Sequence, residues 1–281
     1  MSLDEARVKS RELWDRMAPG WEKHIDYVWA MSRPVGEWLV EELEPKPGQT
    51  ILDIAAGPGD TGFVAAQLVG DEGKLISTDF AEEMVTAAKR RAFSLGITNA
   101  EFKVMDAENM DLADDSVDGV TCRWGFMLML DPAAALRETR RVLRPGGKLT
   151  FAVWGGPETN AWVTVMGMVL TQRGTPPDHD PFGPGGMFSM SEHQRVHDLV
   201  TQAGYANVAI EELPVTWKFK DFEETWAFAT ELAGAIAMLI AGMTDEEVAE
   251  LRRDYLAACE SFKTDDGGYA FPGMTLAVVA H

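Results

Sequence analysis

The sequence predicts an α/β fold: a doubly wound, mostly parallel sheet with crossover helices and an added helical layer. Three observations carry this. Short apolar runs alternate with helical patterns between residues 50 and 155, a glycine-rich turn follows the first run, and the alternation resumes after an interruption to end on a β-rich segment.

The elements follow in order. Thr50-Ile-Leu-Asp-Ile54 is a strand that ends in AAGPGDTG, and a helix over about 60–69 leads to a second strand, Gly73 to Thr78. A helix over about 81–95 stops at Gly96, the position where a left-handed residue closes a helix. Ala100 to Val104 and Ser116 to Cys122 are the next two strands. A helix over about 132–143 ends in LRPGG, whose proline and paired glycines stop it ahead of the strand Lys148 to Trp154. Past Trp154 the segment 155–190 is rich in glycine and proline around a short helix at about 160–172, and a connection this long is usually functional. Ser191 to Ala203 reads as a helix closed by Gly204, Asn207 to Phe219 as a strand, and Met274 to Ala280 as the last strand. Between those strands the block 221–266 carries twelve acids against three bases, Arg252, Arg253 and Lys263, with apolar residues at helical spacing. It is predicted as a helical insertion.

Asp plus Glu outnumber Lys plus Arg by 45 to 25, and the resulting net charge of −20 repels a polyanion, so nucleic acid is not an expected partner. Leu232 to Met243, the longest uncharged apolar stretch, is too short for a bilayer, which needs roughly 20 residues. The first residues lack the apolar region of a signal peptide, and the two cysteines, Cys122 and Cys259, lie far apart. A cytoplasmic protein with no membrane span is expected, with a homodimer left open.

The chemistry begins at the turn after the first strand. Gly57-Pro-Gly-Asp-Thr-Gly62 satisfies G-x-G-x-x-G, and Asp79 ends the next strand about 20 residues on, the pattern of a nucleotide cofactor site. Glycines let backbone amides approach a ligand at a helix N-terminus, and the later acid accepts from ribose hydroxyls. Several adenosine cofactors satisfy that. Asp53 lies inside the motif and Asp106-Ala107 ends the third strand. An acid so close to the turn suits a ligand carrying an ammonium and a sulfonium better than a pyrophosphate.

With these residues in view the chain resembles the class I S-adenosylmethionine-dependent methyltransferases of the small-molecule type. The likeness rests on ILDIAAGPGDTG at 51–62, LISTDFAEEM at 75–84, FKVMDAENM at 102–110, SVDGVTC at 116–122 and RRVLRPGGKL at 140–149, in the family's order and spacing. It implies a Rossmann-like sheet of order 3-2-1-4-5-7-6 with an antiparallel last strand. WDRMAPGWEKH at 14–24 resembles the segment that closes over the cofactor in such enzymes. The resemblance thus implies an N-terminal helical lid over 1–45, a core over 46–220 and 267–281, and a substrate cap over 221–266. It places Ala55, Gly57 and Gly59 at the methionine moiety of S-adenosyl-L-methionine, with Arg123 lining that end. Asp79 would meet the ribose, Phe80 and Met84 the adenine, and Asp106 with Ala107 its edge. Ala55 replaces the family's usual first glycine; ubiquinone and menaquinone biosynthesis C-methyltransferases resemble this version, which raises a quinone or polyketide acceptor.

Each residue also has a plainer reading. Asp53 could cap the following helix, Phe80 and Met84 could be core, and Trp21 and Tyr27 serve equally as helix anchors or ligand contacts. Cys122 suits a small buried position. Arg137, Arg140, Arg141, Arg144 and Lys148 fit a solvated face.

Displacement on a sulfonium needs a base only when the acceptor must lose a proton. His24 and His179 are the candidates for that role; His193 and His197, four apart on a helix, lack a third ligand for a metal. The strand-four exit, Arg123-Trp-Gly-Phe-Met-Leu-Met-Leu130, is apolar and argues for a hydrophobic acceptor. Expected function is therefore methyl transfer to O or C of a small aromatic or lipophilic metabolite, with S-adenosyl-L-homocysteine as product. The alternative is a nicotinamide-dependent oxidoreductase, for which Tyr27, Tyr205, Tyr255 and Tyr269 offer no Tyr-x-x-x-Lys spacing. A cofactor-binding protein without catalysis is a third reading.

Overall fold

The computed structural model describes residues 3–176, 180–232 and 234–281. Seven strands form one sheet in the order β3-β2-β1-β4-β5-β7-β6, as expected. They are β1 (Thr50–Ile54), β2 (Lys74–Asp79), β3 (Ala100–Val104), β4 (Val117–Arg123), β5 (Leu143–Trp154), β6 (Val208–Phe219) and β7 (Tyr269–Ala280). β7 alone runs against its neighbours β5 and β6.

β1, β2 and β4 are short and largely buried because helices cover both faces. Leu52 and Ile54 of β1 and Leu75 of β2 are fully buried. Two N-terminal helices, α1 (Leu3–Lys23) and α2 (Ile25–Leu43), precede β1 and break at His24. α2 belongs to the packed layer: Val40 and Leu43 sit with Ile51, with Phe63 and Ala66 of α3 (Asp60–Val69), and with Ala88 and Ala92 of α4 (Glu82–Leu95). α1 instead lies along α4. α5 (Pro132–Val142) packs on α7 (His193–Gln202), and α6 (Ala161–Gln172) on β7.

The insertion is helical, as its spacing predicts, in three pieces: α8 (Phe222–Glu231), α9 (Gly234–Ala241) and α10 (Asp245–Cys259). Asp221 accepts from Glu224 N at 2.9 Å to start α8, and Thr244 with Glu247 closes a reciprocal cap on α10. Among the described residues no helix is long and apolar enough to cross a membrane.

The last strand is longer than its apolar run predicts. It starts at Tyr269 and pairs with β6 over the whole of 208–219, whereas β5 pairs with it only over 275–280. Residues 214–219 and 269–274 therefore form a two-stranded wing that projects past the carboxyl end of β5. Val215, Trp217 and Phe219 alternate inward along it, with Thr216 and Lys218 exposed, the period of a half-buried antiparallel pair.

Candidate functional site

The carboxyl ends of β1, β2 and β4 and the turns after them form one half of the site, where ligands of open α/β sheets bind. The turn after β1 needs three left-handed residues in a row of five: Ala55 at φ 49°, Gly57 at 54° and Gly59 at 96°. Gly59 leads directly into α3, and a side chain there would run into the Phe63 ring. Gly57 has open space where a side chain would begin. Ala55 tolerates a conformation that costs an L-residue about 1 kcal/mol, a signature of a turn fixed by its surroundings.

Two carboxylates hold this turn. Asp79, at the end of β2, accepts from Gly57 N through Oδ2 and from Ala81 N through Oδ1, both at 3.0 Å. Burial pushes it up to about 6, against those backbone bonds. Asp53 is fully buried and accepts from Gly62 N at 2.9 Å. Gly62 makes that contact possible, since a Cβ there would sit 2.5 Å from Asp53 Oδ2. The helix-capping reading of Asp53 is thus realised by one oxygen only; Oδ1 is buried without a partner. Burial raises Asp53 to about 7, with Arg123 and the Gly62 bond opposing. Arg123, at the end of β4, donates from Nε to Thr61 Oγ1 at 2.9 Å and lies over the Trp124 ring.

The adenine-side candidates are brought together by α1. Phe80 and Met84 pack with Ala81 against Trp14, Ala18 and Trp21. The Trp21 indole N–H is buried without a partner. Asp106 accepts from Glu108 N, Ala107 is buried, and Arg7 of α1 reaches both Asp106 and Glu108. Glu108 also accepts from Leu130 N and Asp131 N at 2.9 Å, tying the turn after β3 to that after β4. Arg7 and Glu108 escaped the sequence reading, because Arg7 meets its partner only through the fold.

The other half is aromatic. Trp124 follows Arg123 at φ 60° and stacks on Trp154 at the end of β5, ring centres 4.1 Å apart. Trp162 of α6, Trp217 of the wing, Phe228 of α8 and Tyr27 of α2 close around them. Tyr27 and, within the apolar strand-four exit, Trp124 were named from the sequence; Trp154, Trp162 and Trp217 were not singled out. The signal was there only as a count, nine tryptophans in 281 residues.

His24 sits at the break between α1 and α2, its Nε2 2.7 Å from Glu231 Oε2 at the end of α8, where Lys23 also binds. His179 lies outside the described residues. His193 and His197 face Glu212 and Asp198 on the outer surface. Cys122 is fully buried, its thiol pushed up by that burial. Four of the five residues of the basic run have partners within the chain: Arg141 binds Glu138 and Asp114, Arg144 binds Asp118, Lys148 binds Glu44, and Arg140 lies over Tyr205.

Residues 45–161 match a family model described as a methyltransferase domain. Over 122 residues the chain is 32% identical to the ubiquinone/menaquinone biosynthesis C-methyltransferase of Shewanella oneidensis, covering 43% of this chain and 49% of that protein. Over 120 residues it is 37% identical to an uncharacterized 37.1 kDa protein of a Streptomyces fradiae transposon, covering 43% and 33%. The chain spans a third to a half of the length of these curated relatives. The YcgJ protein of Bacillus subtilis superposes with a TM-score of 0.57 at 20% identity, over 88% of this chain and 97% of that one, which shows the shared fold.

Proposed function

From the match of residues 45–161 to a methyltransferase-domain model, we propose that the chain transfers a methyl group from S-adenosyl-L-methionine to an oxygen or carbon of a small aromatic or lipophilic metabolite, leaving S-adenosyl-L-homocysteine. The observation that carries this reading is the pair of buried carboxylates on one glycine turn. Asp53 has an unpartnered oxygen and Asp79 a raised affinity for a proton, so both are poorly compensated as the chain stands. A ligand bearing hydroxyls and positive charge compensates them. A pyrophosphate would not, and the nicotinamide alternative has no comparable support.

When bound, the cofactor supplies a methyl group already activated on a sulfonium. The rest falls to the chain. Asp79 takes the ribose hydroxyls, Ala55, Gly57 and Gly59 present backbone at the methionine end beside Asp53 and Arg123, and Phe80, Met84, Asp106 and Ala107 frame the adenine. α1, with Trp21, covers that half and keeps water from it. The aromatic half holds the acceptor in line. Of the lid expected over 1–45, α1 alone takes that role, because α2 is packed against the sheet, and 155–190 with 221–266 shape the acceptor side. His24, oriented through Glu231, takes a proton when the acceptor must lose one; full turnover by His24→Ala would remove that role.

Calorimetry tests the reading. S-adenosylhomocysteine is expected to bind at micromolar concentration and NADH not at all; the reverse result overturns it. Asp79→Ala should weaken S-adenosylhomocysteine by about 100-fold with the circular dichroism unchanged, since it removes charged hydrogen bonds to the ligand and the clamp on Gly57. Unchanged affinity would mean the ribose is bound elsewhere.

A further inference from the structure

Within the aromatic half, the indole and phenol donors are not treated alike. Trp124 Nε1 donates to Thr275 Oγ1 at 3.0 Å, and Trp162 Nε1 to Asn160 Oδ1 at 3.1 Å. Trp217 Nε1 and the Tyr27 hydroxyl have no partner, although both atoms are buried and Trp217 is only 2% exposed. A buried donor left unpaired costs on the order of 1–3 kcal/mol, and proteins seldom keep one without use. Here two stand together: the Tyr27 and Trp217 ring centres are 6.2 Å apart, and both rings meet Phe228.

Their surroundings say what could satisfy them. Trp217 is ringed by Trp124, Trp154, Trp162 and Phe228, with centres between 4.8 and 6.5 Å away. Such a setting accepts a flat apolar molecule by stacking and edge contact. It also lies next to the turn after β1. Trp124 is held in the left-handed region between Arg123 and Gly125, and a Cβ on Gly125 would sit 2.6 Å from that of Ala55 in the cofactor turn. A cation, the other guest of aromatic cages, brings no lone pair to either donor.

We propose that Trp217 Nε1–H and the Tyr27 hydroxyl are the specificity-determining contacts for the methyl acceptor, and that the acceptor is a fused or substituted aromatic ring bearing an oxygen, carbonyl or phenolic, that accepts from them. This rests on the methyltransferase reading and narrows its substrate class. The wing explains how the contact is built: only the extension of β6 beyond β5 carries Trp217 across to Trp124 and Trp154. Both residues position and select; neither is assigned a step in the chemistry.

The test uses the full chain saturated with S-adenosylhomocysteine, with 2-naphthol and naphthalene as probes that share a ring system and differ by one oxygen. Wild type should bind 2-naphthol at least about tenfold more tightly than naphthalene, the worth of a hydrogen bond to a buried donor. Trp217→Phe and Tyr27→Phe keep an aromatic ring and remove one donor each. Each should weaken 2-naphthol by about tenfold while leaving naphthalene and S-adenosylhomocysteine within about twofold. Equal binding of the two probes by wild type, binding of neither, or 2-naphthol affinities in both variants within twofold of wild type would overturn the proposal. Those outcomes leave the cofactor reading standing, because S-adenosylhomocysteine is measured separately; failure of that ligand to bind would overturn the cofactor reading instead.

Discussion

The two halves of the strand-end cleft are made by opposite means. Over β1 to β3 the site is polar and local: a five-residue turn, two carboxylates at strand ends and a few amides, drawn, apart from α1 and Arg123, from residues 53–108. Over β4, β5 and the β6–β7 wing it is apolar and dispersed, six rings from six elements spread between residues 27 and 228. Buried carboxylates mark the polar half, whereas left-handed residues (Ala55, Trp124) and unpaired ring donors (Trp21 on one side, Trp217 and Tyr27 on the other) occur in both. Under the proposed function the difference is that of a fixed ligand and a chosen one. A shared cofactor is met by backbone geometry that tolerates little change, whereas an acceptor is selected by side chains that can be exchanged ring by ring.

If the halves are separable, damage to one should spare the other. Trp154→Ala is the strongest challenge: it removes a ring buried to 3% exposure and stacked on Trp124 at 4.1 Å, and should cost about 3–5 kcal/mol in urea unfolding. S-adenosylhomocysteine affinity should stay within about threefold, because none of the proposed cofactor contacts comes from β5. A large loss of that affinity in a folded variant would make the cleft a single unit.

The same contrast decides what could be read from sequence. The polar half was legible because its residues are contiguous in motifs whose spacing is set by one strand and one turn: Asp53, Gly57, Gly59 and Asp79 all fall at the end of a parallel strand or in the loop after it. The sheet order was implied by the resemblance those motifs carry, and the helices by periodicity and caps. Of the aromatic half only the apolar strand-four exit with Trp124 was legible, since Trp217 reaches Trp124 only through the pairing of β6 with β7, a contact between residues 93 apart in the chain. Only the β7 half of the wing was missed, because Pro272 and Gly273 interrupt the apolar run that marked the strand from Met274 on. Arg7 and Glu108 were invisible for the same reason, being an ion pair across 101 residues.

A smaller effect separates the halves by pH. Asp53 is held at about 7, against 3.8 for the free carboxyl. Below about pH 4 it is protonated whether the chain is folded or not and contributes no difference. As pH rises the unfolded chain ionises first, so the folded state loses stability until about pH 7 and no further. Asp53→Asn lacks that titration. The stability of Asp53→Asn relative to wild type, without ligand, should therefore grow by on the order of 2–4 kcal/mol between pH 4 and 7 and then level off. A difference flat across that range would mean that Arg123 and the Gly62 amide already compensate the charge. Substitutions of Trp217 or Tyr27 to Phe should show no such pH dependence, since neither side chain titrates there.

The smallest expected effect lies where the halves meet. Ala55 holds a left-handed position that glycine adopts without strain, and its methyl group faces the bare backbone of Gly125 on the aromatic side. Ala55→Gly relieves roughly 1 kcal/mol of backbone strain in the folded chain and adds about 0.4–1 kcal/mol of freedom to the unfolded one. These nearly cancel, so the melting temperature should move by no more than about 2 °C and S-adenosylhomocysteine affinity by less than about twofold. A rise of several degrees would show that the alanine strains the turn in order to press against Gly125. The cofactor turn and the acceptor rings would then be mechanically coupled through that single methyl, and the separation argued from Trp154 would hold for binding but not for folding.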